Sequence, residues 1–274
     1  MKGLVAIVIL NYCQSKLTLA CLRSLAHQNY QNLAVIVTDN SPEEQLIPEL
    51  DVKKIFPSAH VIYNHENRGF SAGCNPGIRK GMELHAEFIW LLNNDTEVKT
   101  DTLSLLVKKM EENTNIGAVG AAIYSKDGKS LQTYGGGRIN LQKIYTLPNL
   151  SQNIPLDFIT GACMLIRTEI LATVGLLDET FFMYFEDVDF SLRIVKAGWK
   201  LACVPHAVVL HYGNASLPDA YTGNLYSLAS AKYFAKKHSP CFWKACWYIF
   251  LTRRVPPQLL DKIKKLHLFI KRYI

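Results

Sequence analysis

None of the seven cysteines stands in a Cys-x-x-Cys pair, and their number is odd. Cys13, Cys21, Cys74, Cys163, Cys203, Cys241 and Cys246 are scattered along the chain. That scatter argues against a structural zinc site and against a disulfide framework, and it fits a reducing cytoplasm. There is no Gly-x-x-x-x-Gly-Lys-Ser/Thr run, so the chain is not a P-loop enzyme. The first apolar run does not lead into a Gly-x-Gly-x-x-Gly turn, which argues against a dinucleotide dehydrogenase. That run, residues 4–10, is short for a secretory signal, and Asn11 follows where a small-residue cleavage site would stand. The aromatic, apolar stretch at 242–251 falls well short of the roughly 20 residues that span a bilayer. Internal repeats and low-complexity segments are also missing.

What remains is an ordinary globular composition: 274 residues, 49% hydrophobic and 19% charged. It holds one large domain, or one domain with an appendage. The net charge of +7 is unevenly spread. From Lys232 to Ile274 there are eleven Lys and Arg against one acid, Asp261; the rest carries 19 basic and 22 acidic groups. A nucleic-acid protein carries its basic patch on the fold itself, so no nucleic-acid partner is expected. Beyond Pro256-Pro257, Leu259, Ile263, Leu266, Ile270 and Tyr273 form a helical stripe. Lys262, Lys264, Lys265, Lys271 and Arg272 lie largely off it. This is the pattern of a basic amphipathic helix at an anionic membrane surface, with Trp243, Trp247 and Tyr248 as interfacial aromatics. A helix packed on the domain with a solvated lysine face is the alternative.

Residues 4–10 and 33–38 read as strands buried on both faces, the second ending in the turn signal Asp39-Asn40-Ser41-Pro42. Between them Leu19, Leu22 and Ala26 mark a helix face. A short strand is expected at 61–63, then a glycine-rich turn (Gly69, Gly73, Gly77) before a helix. Strands at 88–92 and 116–123 flank a helix at 102–113. The alternation predicts an α/β domain with a largely parallel sheet. From 124 to 155 turn signals predict a hairpin and an irregular loop. A strand is expected over 158–166, a helix from about Asp187 to Gly198, and short strands at 201–204 and 208–210, followed by His211.

The densest chemistry is Phe181-Phe182-Met183-Tyr184-Phe185-Glu186-Asp187-Val188-Asp189, an aromatic run ending in three carboxylates at the mouth of a helix. Acids at a helix N-terminus offset its dipole; a carboxylate beside a packed, water-excluding wall also serves proton transfer. Asp39 and Asp95 end predicted strands as well. Ligands of open α/β sheets bind outside the carboxyl ends of strands, so these acids point to one cleft.

Taken in order, these stretches resemble a known family. Val8-Ile9-Leu10-Asn11-Tyr12, Val37-Thr38-Asp39-Asn40-Ser41, Glu66-Asn67-Arg68-Gly69-Phe70-Ser71-Ala72-Gly73-Cys74-Asn75 and Leu91-Leu92-Asn93-Asn94-Asp95-Thr96 come first. Gly161-Ala162-Cys163-Met164, the Phe182 to Asp189 segment, Ala197-Gly198-Trp199 and His211-Tyr212-Gly213 complete the set. It is similar to the family 2 glycosyltransferases of GT-A fold, within them the bacterial rhamnosyltransferase-like branch, over residues 4–213. The resemblance implies an α/β, Rossmann-like fold with a mostly parallel central sheet. Residues 1–218 would be the nucleotide-sugar-binding catalytic domain, and 219–274 a helical, basic amphipathic extension.

The implied activity is inverting, metal-assisted transfer of a sugar, rhamnose in that branch, from a dTDP- or UDP-linked donor. The acceptor would be a hydroxyl of a surface glycan or a lipid-linked glycan. Asp187 would be the general base. Asp39 would read the imide N–H of a uracil or thymine ring, with Asn11, Asn67 and Asn94 near the nucleotide. Arg68 would be a phosphate partner or a surface arginine. Asn93-Asn94-Asp95 matches the family's Asp-x-Asp motif with Asn at its first acidic position. Asp95, Asn93 through its carbonyl oxygen, and His211 would hold a divalent cation, Mg²⁺ or Mn²⁺. Gly161 would let backbone approach the donor sugar. Glu186 and Asp189 would bind sugar or acceptor, or cap the helix; Trp199 would stack on a sugar or pack in the core. The 124–155 loop and the aromatics at 181–185 are candidates for acceptor recognition. The expected location is cytoplasmic and peripheral, the basic tail on the inner membrane face. Two other readings are a nucleotidyltransferase acting on sugar phosphates, and a non-catalytic membrane-associated subunit with a degenerate site.

Overall fold

The structure is a computed structural model and describes residues 3–152, 154–213 and 220–252. The expected amphipathic helix around residues 259–273 and the side chain of Trp247 lie outside the described residues. The chain begins β1 (Val5–Asn11), α1 (Ser15–Leu25), β2 (Leu33–Asp39), α2 (Glu49–Ile55), β3 (His60–Tyr63) and α3 (Gly69–Glu83). It continues with β4 (Phe88–Leu92), β5 (Thr96–Val98), α4 (Thr102–Glu112), β6 (Ile116–Ser125), β7 (Leu131–Tyr134), β8 (Gly136–Asn140) and β9 (Tyr145–Pro148). Then come β10 (Phe158–Ile159), β11 (Cys163–Arg167), α5 (Leu171–Val174), α6 (Glu186–Lys196), β12 (Lys200–His211), α7 (Ala220–His238) and α8 (Phe242–Thr252).

Period-two alternation along fully buried strands builds the three layers. In β1, Val5, Ile7 and Ile9 face a cluster with Leu22 and Leu25 of α1, Val52 of α2 and Leu106 of α4. Ala6 and Val8 face the opposite cluster with Ile78 of α3 and Phe190 and Ile194 of α6. The central sheet runs β3-β2-β1-β4-β11-β6-β12-β5, with β7 also paired to β6. Strands β3, β2, β1 and β4 are parallel, as the continuous apolar runs predict. β11 runs antiparallel between β4 and β6, while β12 rejoins β6 in parallel, so the sheet as a whole is mixed.

Four local expectations are corrected. The glycines at 69, 73 and 77 do not form a turn ahead of the helix; they lie within α3. Gly73 and Gly77, four apart, share the helical face against the sheet, while Gly69 lies against the Phe182 backbone. A Cβ at Gly77 would stand 2.6 Å from Val8 Cγ1 and 3.0 Å from Thr38 Cγ2, so only glycine permits this helix–sheet approach. The strand expected over 158–166 is broken at 160–162 into β10 and β11. The strands at 201–204 and 208–210 are one strand, β12, with a register shift between Val204 and Val208. The 124–155 stretch holds the β6–β7 hairpin and, in place of an irregular loop, strands β8 and β9 of a second sheet ordered β10-β8-β9. Among the described residues no helix is long and apolar enough to cross a membrane.

Helix α7, beyond the expected boundary at 218/219, packs Ala231, Phe234 and Ala235 against Phe181, Phe185 and Val188. Ala245 and Ile249 of α8 join the same cluster beside Ile144, at the turn between β8 and β9.

Candidate active site

A cleft of about 270 Å³ opens where the parallel strands end. Leu10 and Tyr12 reach it from β1, Asn40 from β2, and Asn93, Asn94 and Asp95 from β4. Asn67, Gly69 and Phe70 enter from the start of α3, and Thr160, Gly161 and Ala162 from the break between β10 and β11. Glu186 and Asp187 close it from the first turn of α6, and His211 from the end of β12. A second cavity of about 350 Å³ shares Tyr184, Glu186 and Asp187 with the first and is otherwise lined by Tyr145, Thr146, Phe158 and Ser227 among others. The carboxyl pair therefore stands at the wall between two cavities.

The two carboxyls are held differently. Gly161 N–H donates to Asp187 Oδ2 (3.0 Å), and Val188 N–H donates to Asp187 Oδ1 (2.8 Å). Burial pushes the Asp187 carboxyl above its usual range, and these N–H donors work against that rise. Glu186 Oε2 is buried with no partner. Burial first, and then the negative charge of Asp187, push the Glu186 carboxyl well above the usual range. Of the pair, Glu186 is pushed further toward its protonated form than Asp187.

The backbone before them is strained. Tyr184 and Phe185 sit at φ +69 and +67, in the left-handed region that bulky residues avoid. Helix α7 holds this segment along its length. Phe181 meets Tyr233 (4.9 Å between ring centroids), Phe182 meets Tyr226 (4.5 Å), and Phe185 meets Phe234 (5.1 Å). Ser230 Oγ donates to Met183 O (2.7 Å).

Asp95 and His211 come together: Oδ1 and Nε2 are 3.3 Å apart. That is close to the spacing of neighbouring ligands around a cation with bonds of about 2.0–2.1 Å. The Asn93 amide nitrogen lies 3.5 Å from the same Nε2, and half a turn of the amide would present its oxygen instead. Among the described residues no three His, Cys, Asp or Glu side chains converge, so a cation here would rest on one carboxylate, one imidazole and one amide. This donor set, with room left for phosphate oxygens, fits a divalent cation.

Asp39 and Asn11 are fully buried and do not line the cleft. Asp39 accepts from Asn11 Nδ2 (3.0 Å), Ser41 N (2.9 Å) and Ile47 N (2.7 Å), which orders the 40–47 loop. It presents no surface to a base here; Asn40 and Asn67 do face the cleft. Thr18 Oγ1 donates to Asn11 Oδ1 (2.7 Å) and accepts from Asn94 Nδ2 (3.1 Å), tying the ends of β1 and β4 together.

Three expected site residues are elsewhere. Arg68 pairs with Glu179 (3.6 Å), outside the cleft lining. Asp189 is fully buried and turned toward Arg193 (2.9 Å), Lys237 (2.7 Å) and His238 (2.6 Å), because the helical turn carries it away from Asp187 and toward α7. Burial alone would raise its carboxyl, but the hydrogen bonds of His238 and Lys237 and the charge of Arg193 hold it below the usual range. Trp199 follows the far end of α6, which lies about 14 Å along the helix from Asp187. It packs in the core beside Ile194 and Gly117 rather than facing a sugar. Sequence reasoning missed Gln132 on β7, whose amide makes two bonds to His211.

The mixed α/β domain, with a carboxylate pair on the first turn of a helix at the strand ends, has the GT-A fold. Residues 5–175 match the profile of Glycosyl transferase family 2. The chain belongs to that family. It is 30% identical over 164 residues to a low-salt glycan biosynthesis hexosyltransferase of Haloferax volcanii, covering 58% of this chain and 52% of the relative. It thus spans about half the length of that relative. It is 25% identical over 252 residues to the N-acetylglucosaminyl-diphospho-decaprenol L-rhamnosyltransferase of Mycobacterium tuberculosis, covering 82% of this chain and 81% of the relative. The fold superposes on the Pyrobaculum calidifontis mannosyltransferase solved with GDP-Man and Mn²⁺, with TM-score 0.63 and 17% identity over 93% of this chain and 71% of that one.

Proposed function

We propose that this protein is an inverting glycosyltransferase. It moves a sugar, rhamnose by its family branch, from a dTDP- or UDP-linked donor to a hydroxyl of a glycan or lipid-linked glycan acceptor. One observation carries the reading: Asp187, fixed by Gly161 N–H, stands at the wall shared by two cavities. The donor takes the first cavity and the acceptor hydroxyl approaches from the second.

Asp187 accepts the acceptor proton as that oxygen attacks the anomeric carbon. The bond to the diphosphate breaks on the opposite face, which inverts the centre. Its raised affinity for a proton, caused by burial, brings a carboxylate closer to the working range of a general base. Glu186, protonated, donates a hydrogen bond to a sugar or acceptor oxygen and so satisfies its otherwise unpaired Oε2. Asn40 and Asn67 meet the nucleotide, with Asp39 and Asn11 ordering the loop behind them. Asp95 and His211, with Asn93, would hold a divalent cation, Mg²⁺ or Mn²⁺, which when bound would supply positive charge near the departing diphosphate. The absence of a side chain at Gly161 is not demanded by the protein's own packing: a Cβ there would reach only ordinary contact, 3.6 Å, with Asp187 and Phe70. That room is left for the donor. The basic extension beyond residue 252 brings the enzyme to the anionic inner face of the membrane, where a lipid-linked acceptor resides.

The test is a screen of nucleotide sugars for binding and turnover with Mn²⁺ or Mg²⁺, on the parent protein and on Asp187→Asn. Release of dTDP or UDP from one donor, lost in the variant while donor binding persists, is the expected result. Absence of any nucleotide-sugar binding would overturn the reading.

A further inference from the structure

We propose that Gln132 is a positioning residue that fixes the proton of His211 on Nδ1 and keeps Nε2 as the nitrogen available to a divalent cation. The proposal rests on the cation reading of Asp95, Asn93 and His211, and it adds a residue from a different strand to that site.

Gln132 Nε2 lies 3.0 Å from the backbone carbonyl oxygen of His211. A carbonyl oxygen only accepts, so the atom facing it must be the amide nitrogen and not the amide oxygen. The side chain is thereby oriented without recourse to its appearance. A longer contact from the same nitrogen to Ser125 Oγ (3.4 Å) agrees with this. Gln132 Oε1 is then left facing His211 Nδ1 at 3.0 Å. An amide oxygen only accepts, so Nδ1 must carry the hydrogen. A neutral imidazole has one N–H, and spending it on Nδ1 leaves a lone pair on Nε2. That nitrogen is the one 3.3 Å from Asp95 Oδ1. An outer partner that pins one ring nitrogen while the other binds metal is how ligating histidines are oriented and their basicity raised.

The backbone reinforces the clamp. His211 is registered against Thr96 of β5 on one side and Ser125 of β6 on the other. Tyr212 N donates to Asp95 O (3.0 Å), and the Tyr212 hydroxyl donates to Glu97. The ring's attachment point is therefore fixed by two strands, and Gln132 fixes the remaining freedom, rotation of the ring and choice of tautomer. Gln132 does not line the cleft, and its bonds reach the donor set through His211.

The experiment measures Mn²⁺ binding to the full chain by calorimetry and by electron paramagnetic resonance, without donor or acceptor. The variants are Gln132→Met, Gln132→Glu and His211→Ala. The nitrogen resonances of His211 are recorded in the metal-free parent and in both Gln132 variants. Gln132→Met keeps the side chain's volume and removes both hydrogen bonds; it should weaken Mn²⁺ binding about 10–100-fold and redistribute the ring proton between Nδ1 and Nε2. Gln132→Glu keeps an acceptor opposite Nδ1, so it should retain the Nδ1–H form and most of the affinity. His211→Ala should weaken binding at least as much as Gln132→Met. If His211→Ala binds Mn²⁺ like the parent, the cation reading itself fails. If His211→Ala loses binding while Gln132→Met keeps both the parent affinity and the Nδ1–H signature, the cation reading stands and the role of Gln132 is overturned.

Discussion

Gly161 N–H donates to Asp187 Oδ2 across 3.0 Å, so the residue that interrupts the strand between β10 and β11 also aims the carboxylate. An unbroken strand over 158–166 would spend that N–H on the sheet. The break gives it to the first turn of α6, where the two cavities meet.

Asp187→Asn should lower kcat by about 10²–10⁴-fold, the contribution of a positioned base, with donor affinity nearly unchanged by calorimetry. Because burial raises the Asp187 carboxyl, the acid limb of kcat/KM in the parent should lie above the ordinary carboxylate range. Activity is present above that limb and falls as pH drops through it. An acid limb at the usual Asp value would contradict the buried geometry.

Glu186→Gln should stabilise the fold at neutral pH while impairing turnover. The folded-state pKa of Glu186 is raised well above its ordinary 4.5. Between those two values the native state binds more protons than the unfolded chain, so stability falls as pH rises through that window. Glutamine removes the titration. The thermal midpoint of the variant should exceed the parent's at pH 7–8, and the gap should close below about pH 4.5, the ordinary value of a Glu carboxyl. A constant offset across pH would mean that Glu186 is not buried in its neutral form.

Asp189→Ala should cost less than the about 3–5 kcal/mol of a fully buried ion pair, because Asp189 is buried but its cationic partners Arg193 and Lys237 keep 20% and 29% of their side-chain surface exposed. Arg193, Lys237 and His238 all converge on this carboxylate. Lys237 also pairs with Asp178, at 2.8 Å, which moderates the loss. The carboxyl is held below 3.8, so its contribution is present above that value and lost as pH falls through the depressed one. Hydrogen exchange should quicken first in the 225–238 part of α7. Since α7 also holds the strained Tyr184 and Phe185, kcat should fall although Asp189 faces no cavity.

The parallel half of the sheet was legible because a strand buried on both faces leaves a continuous apolar run, as at Val5–Asn11 and Phe88–Leu92. The cleft was legible because Asp95 follows a strand end and Glu186 and Asp187 open a helix beside it. The glycines of α3 misled for a physical reason: closely spaced glycines are ordinarily turn signals. Only the facing side chains Val8 and Thr38 reveal them as a packing face. The readings of Asp39 as a base reader and of Asp189 as a sugar or acceptor ligand or a helix cap rest on spacing alone, which gives no sign that Ile47 N–H and Lys237 claim their oxygens. Gln132 carried no signal at all, since its partner lies 79 positions away. A sequence shows which residues could do chemistry; the packing of α7 on the 181–188 segment and the bonds of Gln132 to His211 decide which ones are positioned for it.

Gly77→Ala should destabilise the protein despite the better helix propensity of alanine. The new Cβ would meet Val8 Cγ1 at 2.6 Å, inside a buried sheet face. Overpacking costs about 1–3 kcal/mol, against a propensity gain of about 1 kcal/mol. Urea unfolding should show a lower midpoint with an unchanged slope. A stabilised variant would mean that α3 stands further from the sheet than described.

The membrane proposal is tested by cutting the chain after Thr252, not after His238. A cut at His238 would strip α8 and expose Ile144, which Ala245 and Ile249 cover. Any loss of vesicle binding would then be confounded by damage to the β8–β9 turn. Ending at Thr252 removes Arg253, Arg254, Lys262, Lys264, Lys265, Lys271 and Arg272 against one acid, Asp261. Each basic residue near an anionic surface contributes about 1 kcal/mol of attraction, and the apolar stripe adds burial in the headgroup region. Binding to anionic vesicles should collapse, binding to neutral vesicles should change little, and the thermal midpoint should stay put. High salt should weaken the parent's binding in the same direction, because surface charges are screened within about 10 Å at 0.1 M. If the shortened protein binds anionic vesicles as the parent does, the membrane role passes to another surface and the basic tail needs a different partner.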